Sequence, residues 1–511
     1  MHFARLLRAV ASGVLFVVAI GIALALAEGA SRILAGMPLT AALLPETPPP
    51  PAERPLGGIV PDLPHVEGLD SAWIEESPPP LSNRGPVAPE LVAIRRAAGG
   101  RIALESNLYR QWNARYVAGA GCAPDGLLRQ LPPPLLVFDP PEPDLQPIYR
   151  FPLGVTTPLG LVTNRFGWRG PEIPLDKPPR TIRLAFVGAS TTVGAHEFPF
   201  SYPELVVHWL NVWAERTGER VRFDGINAGR EGLHSTAIAA IVRQELLAAE
   251  PDLVVYYEGA NQFSFANLVD IPVAPRNMTP QYPPGPWNDF ATPLRPYWSL
   301  VRRIDLLRRM VAMHDGAEPP KPAYALTWPA SVDEREPDVT RRDLPLGLPR
   351  ILIDLDSIRG ALVAIGAELA VSSFVWLVYD GMRLEPGRDI AIFRMLNESE
   401  WPFRYADLRR MADFQNRVFA RYAGLRDLLF VDVAAGVPSE PELFIDSIHF
   451  TQEGTRVQAW AVLNGILPRI RQRIAEGTWP RPDRVPMQDH PGIVPPRRIS
   501  GCAAEPDARA D

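Results

Sequence analysis

Short apolar runs alternate with stretches of helical periodicity between residues 181 and 475. The predicted strands lie at 182–187, 221–227, 253–257, 370–378 and 428–433. The predicted helices lie at 202–216, 235–249, 352–367, 405–422 and 452–474. Strands that alternate with helices pair in parallel and are covered on both faces. The pattern therefore predicts a three-layer α/β/α sandwich around a central, mostly parallel, five-stranded sheet.

The N-terminus indicates a membrane segment. Arg5 and Arg8 precede the run Ala9 to Ala27, which has 19 residues and no charge. A helix of that length just spans the hydrocarbon core of a bilayer, and basic residues before it favour a cytoplasmic N-terminus. We therefore predict a cytoplasmic segment at residues 1–8 and a transmembrane signal anchor at residues 9–27, with the rest of the chain outside the cytoplasm.

A cleaved signal peptide is the alternative interpretation of this segment. Ala25-Leu26-Ala27 resembles the small-x-small pattern of a cleavage site. The apolar run is long for a signal peptide, so we favour the uncleaved anchor. Under both interpretations the remainder of the chain lies outside the cytoplasm.

Proline clusters mark a spacer between the anchor and the α/β region. The chain has 58 prolines, and an unbroken run of them occupies Pro48–Pro51. Backbone of this composition is extended and stiff, so about residues 40–90 are predicted to form a spacer that holds the domain off the membrane. This spacer belongs to a proline-rich spacer and N-terminal segment at 28–147. The α/β domain is expected at 148–475, followed by a tail at 476–511.

A long insertion interrupts the alternation at residues 267–350. It is rich in Pro, Trp and Arg and contains an amphipathic basic helix at 297–310. We interpret the insertion as a lid or wall of the substrate site, and the alternative is a surface excursion. The arginines of its helix are expected to form a solvated face, with anionic lipid as the alternative partner; they are Arg302, Arg303, Arg308 and Arg309.

Charge and motif content exclude several classes of function. The net charge is −6 and the pI is near 5.9, which argues against binding to nucleic acid. No metal-ligand spacing and no phosphate-binding loop occurs, so we expect neither a metal nor another cofactor. Cys122 and Cys502 belong to no redox motif; outside the cytoplasm they either form one disulfide or remain unrelated thiols.

Four polar segments follow predicted strands or precede the last helix. They are Gly188–Gly194, Asn227–Gly232, Glu258–Asn261 and Asp446–His449. Parallel α/β sheets bind ligands outside the carboxyl ends of their strands. The segments are therefore expected to meet at one edge of the sheet.

These segments contain the groups that acyl transfer requires. Ser190 is the predicted nucleophile, His449 the base that accepts its proton, and Asp446 the carboxylate that orients the imidazole. The predicted oxyanion hole consists of the backbone N–H groups of Ser190 and Gly232 and the side-chain amide of Asn261. Each motif alone is more often an ordinary turn, so the prediction depends on all four occurring in order.

The four segments resemble the sequence blocks of the SGNH (GDSL-like) hydrolase superfamily. Ser190, Gly232, Asn261 and the pair Asp446/His449 match those blocks in the family's order, although Ala189 stands where the commonest motif has Asp. Asn164–Gly170 is similar to the lead-in of many exported bacterial members. The resemblance implies a flavodoxin-like fold, ester chemistry, and a catalytic domain on the periplasmic side of a bacterial inner membrane.

The favoured function is a serine-dependent ester hydrolase that forms a Ser190 acyl-enzyme. Its expected substrate is an acylated small molecule or an acylated glycan of the cell envelope or an exopolysaccharide. An O-acyltransferase that uses the same three residues is an alternative, because a sugar hydroxyl can replace water as the acyl acceptor. A non-catalytic glycan-binding protein is the other alternative.

Several other polar residues lie close to these segments in the sequence. His196 and His234 are interpreted as partly exposed structural histidines, with cleft-lining residues as the alternative. Arg230 and Glu231 are candidates to pair with each other. Glu258 is a candidate for a buried carboxylate that accepts hydrogen bonds.

Overall fold

The computed structural model of the protein describes most of the α/β region and the N-terminal helix. The described residues are 2–37, 39–40, 56, 68–89, 91–92, 147, 149–265, 268–272, 286–291, 294–295 and 297–481. Most of the predicted spacer lies outside them, as do Cys122 and Cys502. The spacer and the disulfide therefore stay predictions.

Five parallel strands form the central sheet, in the order β2-β1-β3-β4-β5. They are β1 (Thr181–Gly188), β2 (Arg222–Asn227), β3 (Leu253–Tyr257), β4 (Glu368–Ser372) and β5 (Leu429–Val431). Every residue of β1 and β3 is buried, because helices cover both faces of the sheet. The predicted five-stranded sheet is confirmed, and its order is that of flavodoxin-like folds.

Helices complete the two outer layers and the N-terminal region. They are α1 (His2–Leu34), α2 (Ser190–Val193), α3 (Tyr202–Thr217), α4 (Ser235–Ile241), α5 (Pro286–Ala291), α6 (Ser299–Ala312), α7 (Leu348–Ala364), α8 (Ile390–Arg394), α9 (Tyr405–Leu425), α10 (Val433–Gly436) and α11 (Gln452–Ala475). α3 packs against α11 on one face of the sheet, where the buried rings of Trp209 and Trp460 meet edge to face at 5.7 Å. On the other face α4 packs against α7, and α9 covers β4 and β5.

Two predicted strands are shorter in the structure than in the sequence pattern. β4 ends at Ser372 because the following backbone bonds to side chains: the N–H of Phe374 donates to Asn416 and that of Val375 to the Tyr257 hydroxyl. The hydroxyl of Ser373 donates to the Asp432 carboxylate just after β5, at 2.8 Å. The apolar run 370–378 is buried throughout, but only its first part is a strand.

The region before β1 contains isolated bridges between single residues. Thr156 pairs with Val162, and Thr163 with Arg169. These bridges fold residues 149–170 into a tight loop structure that packs beside β2, to which it is linked by the bridge from Arg169 to Asn227.

The predicted apolar helix at the N-terminus is present as α1. Within its stretch Ala11–Leu34, an 18-residue window reaches a mean hydropathy of 2.2, and the stretch is long and apolar enough to cross a membrane or to act as a signal sequence. Side chains from Ala11 to Leu26 are exposed, and burial begins near the end of the helix, at Ser31 and Arg32.

Candidate active site

A sharp turn at the end of β1 places Ser190 at the carboxyl edge of the sheet. Gly188 ends the strand and Ser190 begins α2. A Cβ atom at Gly188 would lie 2.1 Å from both the Thr192 hydroxyl oxygen and the Tyr257 carbonyl oxygen. Only glycine therefore allows β1, β3 and α2 to approach this closely, and the approach directs Ser190 out of the buried core.

Hydrogen bonds connect Ser190, His449 and Asp446 in one chain. The Ser190 Oγ lies 2.7 Å from His449 Nε2, and His449 Nδ1 lies 2.8 Å from Asp446 Oδ2. An ionised carboxylate only accepts hydrogen bonds, so the proton of a neutral His449 resides on Nδ1. Nε2 then accepts from the Ser190 hydroxyl, which is the arrangement that a general base requires.

A compact loop positions the Asp446/His449 pair. The backbone N–H groups of Ile448 and His449 both donate to Asp446 Oδ1 at 2.9 Å, and the Ile445 N–H donates to the His449 carbonyl at 2.7 Å. α11 begins directly behind the loop, where a Cβ at Gly454 would lie 1.9 Å from the Leu443 carbonyl oxygen. The orientation of the imidazole is therefore set by backbone as well as by Asp446.

The charges of this pair shift the pKa values of both partners. Burial disfavours ionised Asp446, but the charge and hydrogen bond of His449 outweigh burial and lower the pKa of Asp446. Burial also disfavours protonated His449, yet the attraction of Asp446 outweighs it and raises the pKa of His449 above 6.5, with smaller contributions from Glu231 and Glu258. The side chain of His449 remains 34 % exposed, so it is open to substrate.

The two other predicted donors, Gly232 and Asn261, lie on the loops after β2 and β3. Gly232 has a φ of 65°, a left-handed conformation that favours glycine. The Asn261 side-chain amide donates to the carbonyl of Leu233 at 3.1 Å, which joins the two loops. Glu258 is buried and accepts from the backbone N–H of Asn261 at 2.6 Å, so it holds this loop in place.

A cleft of about 220 Å³ opens beside the Ser190 hydroxyl. It is lined by Ser190, Thr191, Gly194, Ala195, His196, Glu197, Tyr202, Glu231, Ile445, Asp446, His449, Phe450, Thr455 and Gln458. Gly232 and Asn261 are not among these residues, although Glu231 adjoins Gly232. The cleft thus brings together the three predicted catalytic residues, whereas the two predicted loop donors do not line it.

The lid or wall predicted at residues 267–350 stays a prediction, because the structure describes only part of the insertion. None of its described residues between 267 and 350 lines the cleft. The cleft opens between the loops after β1 and β2 and the loop before α11, whereas α6 packs against α1 and α8. The predicted basic helix is confirmed as α6, with bounds two residues later than expected.

Glu231 forms a contact that the sequence did not predict. Its carboxylate lies 2.6 Å from His196 Nε2 and accepts from the Tyr149 hydroxyl at 2.8 Å. His196 is 1 % exposed, which corrects its interpretation as a partly exposed residue, while His234 is exposed. Burial disfavours the ionised carboxylate, but His196 and Tyr149 outweigh burial and lower the pKa of Glu231.

Arg230 pairs with Glu245 and not with Glu231, because neighbouring side chains leave the backbone in different directions. The fully buried Glu245 also lies 3.3 Å from Arg150 and accepts from the Trp168 indole N–H at 3.0 Å. Burial disfavours its charge, but the two arginines outweigh burial and lower the pKa of Glu245. We call Arg150, Trp168, Arg230 and Glu245 the loop-support cluster, because it lies beneath the Gly232 loop.

Arg169, in the segment Asn164–Gly170, contacts the loop that lines the cleft. Its guanidinium donates to the carbonyls of Val193 and Ala195, each at 2.8 Å, and to that of Phe198 at 2.7 Å. It therefore holds the loop that follows α2 and lines the cleft. The motif Asn164–Gly170 was visible in the sequence, but its partners are 24 or more residues away along the chain.

Among the residues that the structure describes, no three His, Cys, Asp or Glu side chains are placed to hold a metal ion. No family model matches the sequence, and no curated protein matches it.

Comparison with solved structures finds similarity to several ester-cleaving enzymes. A variant of an acetyl xylan esterase from Geobacillus stearothermophilus is 15 % identical and has a TM-score of 0.32; the match covers 56 % of this chain and 94 % of that chain. For the lipase/acylhydrolase from Enterococcus faecalis the identity is 14 % and the TM-score 0.29, covering 56 % and 96 %. For a GDSL-like lipase from Bacteroides thetaiotaomicron the identity is 14 % and the TM-score 0.26, covering 58 % and 88 %.

Proposed function

We propose that this protein is a serine-dependent ester hydrolase of the SGNH type. The observation that carries the proposal is the continuous chain of hydrogen bonds from Asp446 through His449 to the Ser190 hydroxyl, which opens into a cleft. A nucleophile, a base and an orienting carboxylate in hydrogen-bond contact form the arrangement that acyl transfer uses.

In the first half-reaction the Ser190 Oγ attacks the ester carbonyl while His449 Nε2 accepts the hydroxyl proton. Asp446 stabilises the imidazolium that forms. The backbone N–H groups of Ser190 and Gly232 and the amide of Asn261 stabilise the oxyanion. The intermediate collapses to acyl-Ser190, and His449 returns its proton to the departing alkoxide. Water then attacks the acyl group with His449 again as base, which releases the acid and restores Ser190.

The proposed substrate is an acylated glycan of the cell envelope or an exopolysaccharide, with a short acyl group. A cleft of about 220 Å³ is smaller than the roughly 300–1,000 Å³ of pockets that enclose drug-sized ligands, so it suits a short acyl chain better than a fatty acyl chain. We further propose that α1 is a retained single-pass anchor in a bacterial inner membrane, with the catalytic domain on the periplasmic side.

The test uses the full chain in detergent with a small aryl acetate and a serine-directed phosphonate. We expect acetate release, and a phosphonate adduct on Ser190. Ser190→Ala should lose both the adduct and at least about 10³-fold of the rate, because the nucleophile is gone. Ser331→Ala changes an exposed loop serine and should retain both. Turnover that survives Ser190→Ala, or the absence of any adduct, would refute the proposal.

A second assay separates hydrolysis from transfer. Oligosaccharide acceptors are added to the same ester reaction and the products are analysed by mass spectrometry. Free acetate as the sole product agrees with a hydrolase. Accumulation of acylated sugar would instead assign the second half-reaction to an acyltransferase that uses the same Ser190, Asp446 and His449.

A further inference from the structure

The last turns of α1 are joined to the start of α6. Glu28 accepts the backbone N–H groups of Ser299 and Leu300, each at 2.8 Å, and Arg32 donates to the carbonyl of Tyr297, also at 2.8 Å. The first N–H groups of a helix have no partner within the helix, so a carboxylate at this position satisfies them and stabilises the helix. α1 and α6 are thus connected directly and not only through the intervening chain.

This junction lies at the end of the apolar part of α1. The uncharged run ends at Ala27, and Glu28 follows it. At about 1.5 Å per residue, the run Ala9 to Ala27 is roughly 28 Å long, which matches the hydrocarbon core of about 30 Å. If α1 spans the bilayer, the first turn of α6 is therefore at the membrane surface.

One side of α6 carries a stripe of apolar side chains. Leu300, Ile304, Leu307 and Val311 follow each other at the spacing of one helical stripe. Leu307 is 61 % exposed and Val311 is 75 % exposed, whereas Val301, on another face, is buried against the domain. Leu300 and Ile304 are half-buried, so the uncovered part of this stripe is its C-terminal half, at Leu307 and Val311.

Exposed apolar side chains are concentrated in this part of the molecule. Among the described residues beyond α1, five of the eleven large exposed apolar side chains belong to α5, α6 and the residues just before α6. They are Phe290, Tyr297, Leu306, Leu307 and Val311. Trp287 lies beside them with the Arg308 guanidinium 5.5 Å from its ring. Aromatic and arginine side chains next to an apolar face are typical of the boundary between lipid and water.

We propose that α6 is an interfacial helix that lies along the lipid surface, with Leu307 and Val311 inserted below the headgroups. The inference rests on the proposed anchoring of the chain by α1. A lipid surface is the favoured partner because α1 itself fixes where the bilayer is, and the apolar stripe begins at the residue that Glu28 binds. The catalytic domain would then lie against the membrane in a fixed orientation.

The experiment measures the environment of a spin label on α6. The full chain, with Cys122→Ser and Cys502→Ser, is reconstituted into vesicles of phosphatidylcholine and phosphatidylglycerol. A nitroxide is attached to Leu307→Cys or, as a matched control, to Ile353→Cys, which is similarly exposed at 60 % on α7. Power-saturation electron paramagnetic resonance compares the access of oxygen, which partitions into lipid, with that of a water-soluble nickel chelate.

We expect the label at Leu307 to be more accessible to oxygen than to the nickel chelate, and the label at Ile353 to show the reverse. Equal profiles at both positions would overturn the inference. Ester hydrolysis and the intact mass are measured on the same samples. A water-exposed Leu307 label with hydrolysis and α1 intact refutes the interfacial helix alone. A lipid-immersed label without hydrolysis supports the helix and refutes the proposed activity, while the loss of α1 refutes the anchoring and the inference together.

Discussion

At the scale of single residues, Asp446 determines which nitrogen of His449 faces Ser190 as an acceptor. In Asp446→Asn the side-chain amide can donate to Nδ1, which moves the imidazole proton to Nε2. Nε2 then cannot accept the Ser190 proton. We expect kcat for an aryl ester to fall by on the order of 10³- to 10⁴-fold, with the circular dichroism spectrum unchanged.

A matched control for this substitution is Asp413→Asn. Asp413 pairs with Arg409 on the solvent side of α9, far along the chain from the site, and its side chain is 37 % exposed. Its replacement should leave kcat unchanged. If Asp446→Asn kept a rate within a few-fold of the natural protein, Asp446 would not be the residue that orients His449.

Activity should depend on pH through the protonation of His449. His449 accepts a proton only when it is neutral, and its pKa is raised above 6.5, mainly by Asp446 against the effect of burial. Activity should therefore rise with pH, with a midpoint above 6.5. Glu231 contributes to the raised pKa, so Glu231→Gln should move the midpoint of kcat/KM to lower pH.

The pH profile distinguishes this effect from a loss of structure. Glu215→Gln removes an exposed charge from α3 and should leave the midpoint where it is. A Glu231→Gln variant that lost activity equally at every pH would show that Glu231 acts only through the position of the Gly232 loop.

At the scale of elements, the sequence predicted most of the sheet and the helices that cover it. Buried parallel strands are apolar on both faces, so β1 and β3 stand out as uninterrupted runs. The end of β4 could not be predicted from the sequence. The backbone N–H groups that follow Ser372 donate to the side chains of Asn416 and Tyr257, which are both distant along the chain.

The candidate site was predictable for a related reason. Ser190, Gly232 and Asn261 each follow a strand, so the sheet brings them to one edge whatever the details of the helices. The contacts beneath that edge were not predictable. Glu245 lies 15 residues from Arg230 and 77 from Trp168, and local periodicity contains no information on which buried charges meet.

The loop-support cluster provides the third prediction. Glu245→Ala would leave Arg230 and Arg150 buried without their counter-charge. Removing one partner of a buried ion pair typically costs about 3–5 kcal/mol, and we expect this loss in the free energy of unfolding in urea. Arg409→Ala breaks an exposed pair on α9 and should cost at most about 1 kcal/mol. Equal effects of the two substitutions would show that the cluster does not stabilise the domain.

At the scale of the whole molecule, the junction of α1 and α6 connects two parts of the chain that are far apart in sequence. The prolines after Pro48 predicted a spacer that holds the domain off the membrane. Most of that region lies outside the described residues, so the spacer stays a prediction. The contacts of Glu28 and Arg32 with residues 297–300 add a direct connection between the end of α1 and the start of α6.

The last prediction tests this junction without reference to activity. Glu28→Ala removes the acceptor of the Ser299 and Leu300 N–H groups, and the loss of a helix cap costs typically about 1 kcal/mol. Amide hydrogen exchange in the first turn of α6 should then accelerate several-fold in vesicle-bound protein, as followed by mass spectrometry of peptides from α6. Peptides from α9, which does not contact the junction, should exchange as before. Unchanged exchange in α6 would mean that Glu28 does not hold the first turn of the helix.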